Sequence, residues 1–271
     1  MKRIALTAAI LLTALTLQAC TTETDGSSAT APTTTGSTTT SESETNETTG
    51  TDEAAVIELT FDFNKGDEGF TAGFADLPVD YNEEIYGLDS GMKDLPEELG
   101  DGQGYYVTGM NRSDDLFIFL SKELSAGDGV LANQAYDVSF EIEFGSNAFA
   151  NSFGIGGSPA ESVYVKAGAS SIRPEVIEDK EGDTAMYQMN IDKGQQSEGG
   201  TDAQVIGNVA KQDGSETESF AIVSLSSDSV DLSVESDTDG RIWLIVGIDS
   251  GFEGTTELYF TKISVKLTPI D

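Results

Sequence analysis

The chain has 271 residues, of which 48 are acidic and 14 are basic; it contains no histidine and has a formal net charge of −34. A domain with so negative a field repels phosphate backbones, which excludes nucleic acid as a partner. The lack of histidine excludes Ser-His-Asp and Cys-His catalysis and most zinc sites, whereas carboxylate chemistry and oxygen-ligated Ca²⁺ remain open.

The N-terminal segment has the pattern of an export signal. Lys2 and Arg3 precede an apolar run over 4–17, which is too short to span a bilayer and typical of a signal peptide. The run ends in Leu17-Gln18-Ala19-Cys20, which resembles the lipobox of bacterial lipoproteins. This resemblance implies that 1–19 is a signal peptide and that the thiol of Cys20 is lipidated, with acyl chains such as palmitate entering the lipid bilayer. The protein is then exported and anchored to the cell envelope, at the outer membrane in a Gram-negative host or on the outer face of the cell membrane in a Gram-positive one.

Residues 20–55 are predicted to form a disordered tether behind that anchor. They are rich in Thr, Ser and Glu and nearly free of apolar side chains, so they cannot bury enough surface to offset their conformational entropy. Only seven of the acidic residues lie there, so the remaining part, 56–271, is strongly acidic in its own right. Its length is that of one domain.

The domain is predicted to be all-β. Residues 136–144 alternate strictly between apolar and polar, as do 57–63, which is typical of half-buried antiparallel strands. The runs 116–120 and 242–246 are apolar at every position and are predicted to be central strands covered on both faces. The alternation slips at Thr261-Lys262, which indicates a bulge. Many short strands between Gly- and Asp-rich turns favour an antiparallel β-sandwich.

Three motifs resemble carbohydrate-binding jelly-roll modules of the galactose-binding-like superfamily. They are Phe61-Asp62-Phe63 with Glu68-Gly69-Phe70, the strand AYDVSF at 135–140, and the closing YFTKISV at 259–265. The resemblance implies a jelly-roll fold and a glycan ligand. Thr261-Lys262 stands where those modules often carry an acidic pair that ligates a structural calcium, and Phe70 stands where tryptophan is usual.

Polar stretches beside the strands supply the candidate site residues. Amides, carboxylates and cations together are typical of sugar recognition, because planar polar groups form paired hydrogen bonds with sugar hydroxyls. The ligand-binding candidates are Asn111, Arg112, Asp114 and Asp115 in one stretch and Asn190, Asp192, Lys193 and Gln195 in another. In a third stretch, Asp249 and Glu253 are candidate oxygen ligands for a structural Ca²⁺. Loop aromatics that could stack on sugar rings are Phe74, Tyr81, Tyr86, Phe149 and Phe153.

The function predicted from these features is binding without catalysis, to a glycan or another envelope ligand. The alternatives are a polysaccharide hydrolase or lyase and a structural envelope protein. Residues 164–168, YVKAG, resemble the Y-x-K-A-G core of a jelly-roll family of alginate lyases. That family's catalytic histidine has no counterpart in this chain, and serine stands where its tyrosine belongs.

Overall fold

The computed structural model describes residues 55–180 and 184–271. The predicted signal peptide, Cys20 and all but the last residue of the predicted tether lie outside the described residues. Within the described part, no helix has both the length and the apolar character needed to cross a membrane.

The described chain is almost entirely β-structure. Its one α-helix, Glu83–Tyr86, is a single turn, and 3-10 turns cover Phe63–Lys65, Glu97–Leu99 and Ala126–Asp128. Fifteen strands are formed: β1 Ile57–Asp62, β2 Thr71–Ala75, β3 Leu77–Pro78, β4 Asp89–Asp94, β5 Gln103–Met110, β6 Leu116–Leu124, β7 Ala135–Ser146, β8 Val163–Ser170, β9 Val176–Asp179, β10 Met186–Met189, β11 Ala203–Asn208, β12 Ala221–Ser226, β13 Ser233–Glu235, β14 Ile242–Ser250 and β15 Thr255–Ile270.

The first sheet is built around the two longest strands. Its order is β12-β7-β15-β5-β4, with β1 added to the second half of β15 and β13 to the start of β7, all antiparallel. The pairing of β15 with β7 shifts register between Phe260 and Lys262. This confirms the bulge predicted at Thr261-Lys262, since one extra residue reverses which side chains face the core.

The second sheet has the order β11-β8-β14-β6-β2, again antiparallel. Its central strands β6 and β14 carry the two apolar runs, and both faces of these strands are covered. Leu116, Ile118 and Leu120 face the core between the two sheets, whereas Phe117 and Phe119 pack on the opposite face. That opposite face, which we call the outer face, is covered in part by a small third sheet of order β3-β10-β9.

The core lies between the first two sheets, which makes the domain an antiparallel β-sandwich, as predicted. The Phe residues of the opening motif form its edge: the Phe61 and Phe70 rings meet edge to face with centroids 5.2 Å apart, and Phe63 contacts Phe70 at 5.6 Å. Such edge-to-face contacts stabilise aromatic pairs beyond the burial of their area. Phe70 is buried and fills the position where the resembling modules carry tryptophan.

The only tryptophan does not belong to this core. Alternation along β14 turns Trp243 to the outer face, beyond the cover of the third sheet, where it is half-buried. The Arg173 guanidinium lies 5.3 Å from its ring. The apolar run 242–246 predicted that Trp243 is buried in the core. Trp243 is only half-buried, because the third sheet covers only part of the outer face.

Candidate functional site

Polar side chains are concentrated in two regions of the domain. The first is a cluster of charges on the outer face of the second sheet, which we call the charge cluster and define as Asp76, Asp115, Lys166, Lys193 and Asp249. Lys166 and Asp249 project from the paired strands β8 and β14, and their side chains are completely buried. The other three come from loops that close over this face.

Short ion pairs hold the charge cluster together. The Asp249 Oδ2 atom lies 2.9 Å from Lys166 Nζ and 2.8 Å from Lys193 Nζ, and Lys193 Nζ lies 2.7 Å from Asp76 Oδ2. Lys166 Nζ also donates to the carbonyl oxygens of Lys193 and Glu198, at 2.8 and 2.9 Å. Lys166 therefore fastens the loop that carries Lys193 to the sheet.

Asp115 and Asp249 bring their carboxyl groups close together, and one oxygen of each lies within 4.8 Å of the other. Two buried carboxyl groups this close resist ionising together, because like charges repel. Burial and the neighbouring Asp249 carboxyl raise the pKa of Asp115 to about 8. Burial opposes ionisation of Asp249, but Lys193, the Asp115 carboxyl and Lys166 together hold the pKa of Asp249 below its usual value. These shifts place the proton on Asp115 rather than on Asp249.

The remaining members of the charge cluster balance one another. Burial raises the pKa of Asp76 despite the opposing effect of Lys193, and burial lowers the pKa of Lys166 despite the attraction of Asp249. The pKa of Lys193 is raised, because its two carboxylate partners outweigh its desolvation. Three carboxyl groups and two ammonium groups thus share one buried site.

This arrangement limits the chemistry of the charge cluster. Carboxylate oxygens of Asp76, Asp115 and Asp249 lie within 4.8 Å of one another, which is a spacing that a cation could bridge. The ammonium of Lys193 already lies between two of them, so Ca²⁺ would have to displace a lysine. Glycoside hydrolysis uses carboxyl groups separated by about 5 to 9.5 Å to admit a sugar or water, whereas one oxygen of Asp115 and one of Asp249 lie within 4.8 Å of each other.

The structure brings four predicted residues to this cluster. Asp115, Lys193 and Asp249 belong to it, and Gln195 donates to the Asp115 carboxylate. Sequence reasoning missed Asp76 and read Lys166 only as part of a strand motif. Asp76 follows β2 directly and has a left-handed backbone, with φ of 61°. This conformation is uncommon for a residue other than glycine.

Three further predicted residues, Asn111, Arg112 and Asp114, are close to Asp115 in the chain but are not members of the charge cluster. Asn111 is buried, and its amide donates to the Ser250 carbonyl at 2.7 Å. Arg112 is exposed, and among the described residues no carboxylate pairs with its guanidinium. Asp114 has a left-handed backbone, and its carbonyl accepts from the Gln196 amide at 2.8 Å.

Hydrogen bonds with loop backbone involve Asn190, Asp192 and Glu253. Asn190 bridges to the backbone of Arg173 and Glu175, and the Asp192 carboxylate accepts from the backbone N–H groups of 194 and 201. The backbone N–H of Glu253 donates to the Ile155 carbonyl at 2.8 Å. The acidic oxygens grouped with Asp249 are therefore those of Asp76 and Asp115 rather than those of Glu253.

The second polar region is a cleft at one end of the sandwich, where β7 ends and β15 begins; we call it the end cleft. Its volume is about 330 Å³. Its lining combines two aromatic rings, apolar core residues, two carboxylates and several uncharged polar groups: Ser146, Asn147, Ala148, Phe149, Pro159, Val209, Glu218, Phe252, Thr255, Thr256, Glu257 and Leu258.

Thr256, one of the lining residues of the end cleft, has an unpaired hydroxyl. Along β15, Thr256 has the same parity as Leu258 and Phe260, so its side chain points between the sheets. Only 7% of the residue is exposed, and the Thr256 Oγ1 atom has no hydrogen-bond partner among the described residues. An unpaired buried hydroxyl costs about 1 to 3 kcal/mol. Because the oxygen is closed off from solvent, it belongs to the core behind the cleft rather than to its open surface.

Glycines fix the aromatic wall of the cleft. A Cβ atom added at Gly154 or at Gly254 would overlap the Phe252 ring, so both backbones pack directly against that ring. The neighbour of Gly154 in the chain, Phe153, is 98% exposed, and Ile155 is also exposed. Phe153 therefore stands in solvent beside the wall of the cleft.

Phe149 and Phe153 were the sequence signals for this cleft, as loop aromatics. Asn147, Glu218 and Thr256 were missed, because nothing in the sequence distinguishes them from other polar residues. Phe74, which was grouped with the loop aromatics, lies in β2 and packs partly against the core.

Comparisons by sequence found no match for the chain. No family model matches it, and no curated protein matches it. Several solved structures are similar to the chain, with low sequence identity and low TM-scores. The xylan-binding domain CBM22-1 of Xyn10C from Paenibacillus barcinonensis is 15% identical with a TM-score of 0.35, over 79% of this chain and 95% of that one. The mannan-recognising module TmCBM27 is 9% identical with a TM-score of 0.33, over 79% and 98%. A cyclase from Fischerella sp. TAU is 11% identical with a TM-score of 0.37, over 80% and 100%. At these values the likenesses carry no argument about the site.

Proposed function

We propose that the β-sandwich is a non-catalytic module that binds a glycan in the end cleft, and that Cys20 tethers it to the membrane of the cell envelope. The observation that carries the proposal is the composition of the cleft. Two aromatic residues, Phe149 and Phe252, line the same cleft as the polar residues Asn147, Thr255 and Glu218.

Sugars require this combination of groups. The C–H faces of a pyranose pack against aromatic rings, while its hydroxyl groups need donors and acceptors fixed in position. The volume of about 330 Å³ lies at the small end of the range of about 300 to 1,000 Å³ for ligand pockets. The cleft therefore suits one end or a short section of a glycan, with Phe153 exposed beside it as a further surface for stacking.

The absence of catalysis is part of the proposal and is supported by the charge cluster. Asp76 and Asp249 are paired with lysines, so their charges are already engaged within the chain. A hydrolase would instead use Glu218 and Glu257, the two acidic residues among those that line the end cleft. Incubation with polysaccharides followed by a reducing-end assay separates the two functions: released ends would establish hydrolysis, and none is expected.

Affinity electrophoresis through gels that contain neutral polysaccharides tests binding. We expect retardation on at least one of them, and a Phe149→Ala variant should lose about tenfold in affinity, because aromatic contacts dominate such interfaces. Leu131→Ala is the matched control, since Leu131 is an exposed apolar residue before the start of β7, at the other end of that strand from the cleft. If no polysaccharide retards the wild type, the proposed function is wrong.

The anchor is tested separately. Lipidation would fix the domain to the bilayer, because two or more acyl chains give stable attachment. A Cys20→Ser variant should appear in the soluble fraction with an intact domain and unchanged glycan affinity. A variant that stays in the membrane fraction would contradict the anchor without affecting the binding proposal.

A further inference from the structure

The strand β12 forms an open edge of the first sheet. It pairs with β7 on one side, and among the described residues no strand pairs with its other side. In an antiparallel edge strand, every second residue turns its N–H and C=O groups away from the neighbouring strand. The strand β11 meets β12 from the core side, where Gly207 lies against the Leu225 side chain, while Ile222 and Ser224 are exposed. A further strand could therefore add to β12 in the plane of the sheet.

The other edge strands of the first and second sheets have features that oppose such pairing. Natural edge strands avoid pairing with other chains through charges, bulges, short length or a covering element. Lys93 and Asp89 form an ion pair on β4 at 2.6 Å, and Glu58 and Asp62 lie on β1. The strand β11 has a bulge after Val205, the third sheet contacts β2, and β13 is very short. Among the described edges of these two sheets, β12 alone lacks these features.

The sequence around β12 is uncharged at its centre and acidic at both ends. Residues 219–227 contain no charged side chain, no proline and no glycine. The exposed acids that flank this stretch are Glu216 and Glu218 before it and Asp228 and Asp231 after it. Residues 212–240 include neither lysine nor arginine. The edge thus offers backbone groups at its centre and negative charge at each end.

These flanking charges determine which strand can occupy the edge. A second copy paired antiparallel would bring Glu218 of one copy near Asp228 of the other, and like charges across paired strands are destabilising. The segment 20–55 of this chain carries seven acids and no base, so it is repelled for the same reason. A strand with basic residues at both ends would gain attraction at each end.

We propose that β12 binds an extended segment of another protein as a further strand of the first sheet. The segment has uncharged, β-forming residues at its centre and Lys or Arg at both ends. Strand addition of this kind takes its affinity from main-chain hydrogen bonds, and its specificity comes from the side chains. The proposal concerns a sheet edge and does not depend on the glycan ligand.

Isothermal titration calorimetry of the wild-type protein with synthetic peptides tests this proposal. The probe is acetyl-KKTVTVTVKK-amide, and the control acetyl-KKTVPPTVKK-amide has the same charge. Because N–H groups alternate along a strand, one of the two adjacent prolines removes a donor that would face β12. We expect the probe to bind at least about tenfold more tightly than the proline peptide. The charge-reversed peptide acetyl-EETVTVTVEE-amide should also bind at least about tenfold more weakly than the probe.

A lysine on the edge should block the added strand. Ser224→Lys places a charge on the exposed face of β12, and we expect the affinity for the probe to fall at least about fivefold. Ser171→Lys is the matched control, because it adds the same charge at an exposed position after β8 in the second sheet. It should keep the affinity within about twofold. Both variants should keep the wild-type midpoint of urea unfolding, so that lost binding is not lost folding.

Three outcomes would overturn the proposal. Equal binding of the probe and the proline peptide would show that only charge attracts the probe. An unchanged affinity in Ser224→Lys would place the peptide elsewhere on the protein. Sedimentation of the protein alone should show a monomer, and a dimer that Ser224→Lys dissociates would assign the edge to a second copy of the chain.

Discussion

The charge cluster and the end cleft are both polar regions in a β-sandwich, and they differ in whether their polar residues are engaged with one another. In the cluster, Lys166, Lys193 and Asp249 form ion pairs within the chain, although Asp115 Oδ1 and Asp249 Oδ1 accept no hydrogen bond. In the cleft, Asn147, Glu218 and Phe149 line an open space. Paired charges hold loops to the sheet, whereas polar and aromatic residues around an open space are what a ligand contacts.

The difference also predicts opposite responses to mutation. A completed network stabilises the fold only as long as all its members are present, because each member compensates another. Residues that line an open cleft add little to the stability of the free protein and contribute when a ligand arrives. Changes in the cluster should therefore affect folding, and changes in the cleft should affect binding.

The largest expected effect comes from Asp249→Asn. This substitution keeps the size of the side chain but leaves the buried ammonium of Lys166 without its carboxylate. We expect the free energy of unfolding in urea to fall by about 3 to 5 kcal/mol. The exposed Glu235→Gln variant serves as control and should change it by less than about 0.5 kcal/mol. A loss of under about 1 kcal/mol for Asp249→Asn would show that the cluster does not hold the fold.

The next effect is a pH dependence that comes from Asp115. Its pKa is raised to about 8 by burial and by Asp249, so the folded state keeps a proton that the unfolded chain releases at about pH 4. Its contribution to stability is complete below about pH 4 and is lost as the pH rises toward 8.

Urea unfolding of the wild type and of Asp115→Asn across this pH range measures that contribution. The asparagine cannot ionise, so the variant should lose about 1 to 2 kcal/mol less between pH 4 and pH 8, after allowance for the partial exposure of Asp115. Parallel pH profiles for the two proteins would contradict a proton held between Asp115 and Asp249.

A smaller effect separates the cleft from ordinary core positions. Thr256→Val removes the partnerless hydroxyl at nearly constant shape, so we expect the free energy of unfolding to rise by up to about 1 kcal/mol, with glycan affinity within about twofold because the hydroxyl is closed off from solvent. Thr108→Val is the matched contrast, since the Thr108 hydroxyl donates to the Thr256 carbonyl at 2.8 Å. Its removal should lower stability by about 1 kcal/mol. If both variants are destabilised equally, the Thr256 hydroxyl has a partner in the free protein.

The smallest expected effect is that of calcium. Because Lys193 already neutralises Asp76 and Asp249, adding Ca²⁺ should leave the midpoint of thermal unfolding unchanged. A midpoint that rises with Ca²⁺ concentration would show that a cation site exists and that lysine does not replace the metal in the cluster.

The sequence predicted the sandwich because its central strands have strong patterns. Alternation over 136–144 and the uniformly apolar runs 116–120 and 242–246 correspond to β7, β6 and β14. The strand β4, with the sequence DSGMKD, was missed, since an edge strand is held by backbone pairing with β5 and needs little apolar surface.

The two polar regions were predictable to different degrees. Asp115, Lys193 and Asp249 stood out as charges beside strands, but their grouping depends on pairs separated by 56 residues or more, which the sequence does not reveal. Lys166 was hidden in a strand whose other residues looked buried. For Thr256, the decisive property is the absence of a partner, and this property exists only once the chain is folded.

The most direct test of the account is an NMR titration of the ¹⁵N-labelled domain with an oligosaccharide of the neutral polysaccharide that retards the protein most in affinity electrophoresis. We expect amide signals of Asn147, Phe149 and Thr256 to shift in proportion to saturation, while those of Lys166, Lys193 and Asp249 stay in place. Shifts confined to the charge cluster, with the cleft signals unmoved, would contradict the account.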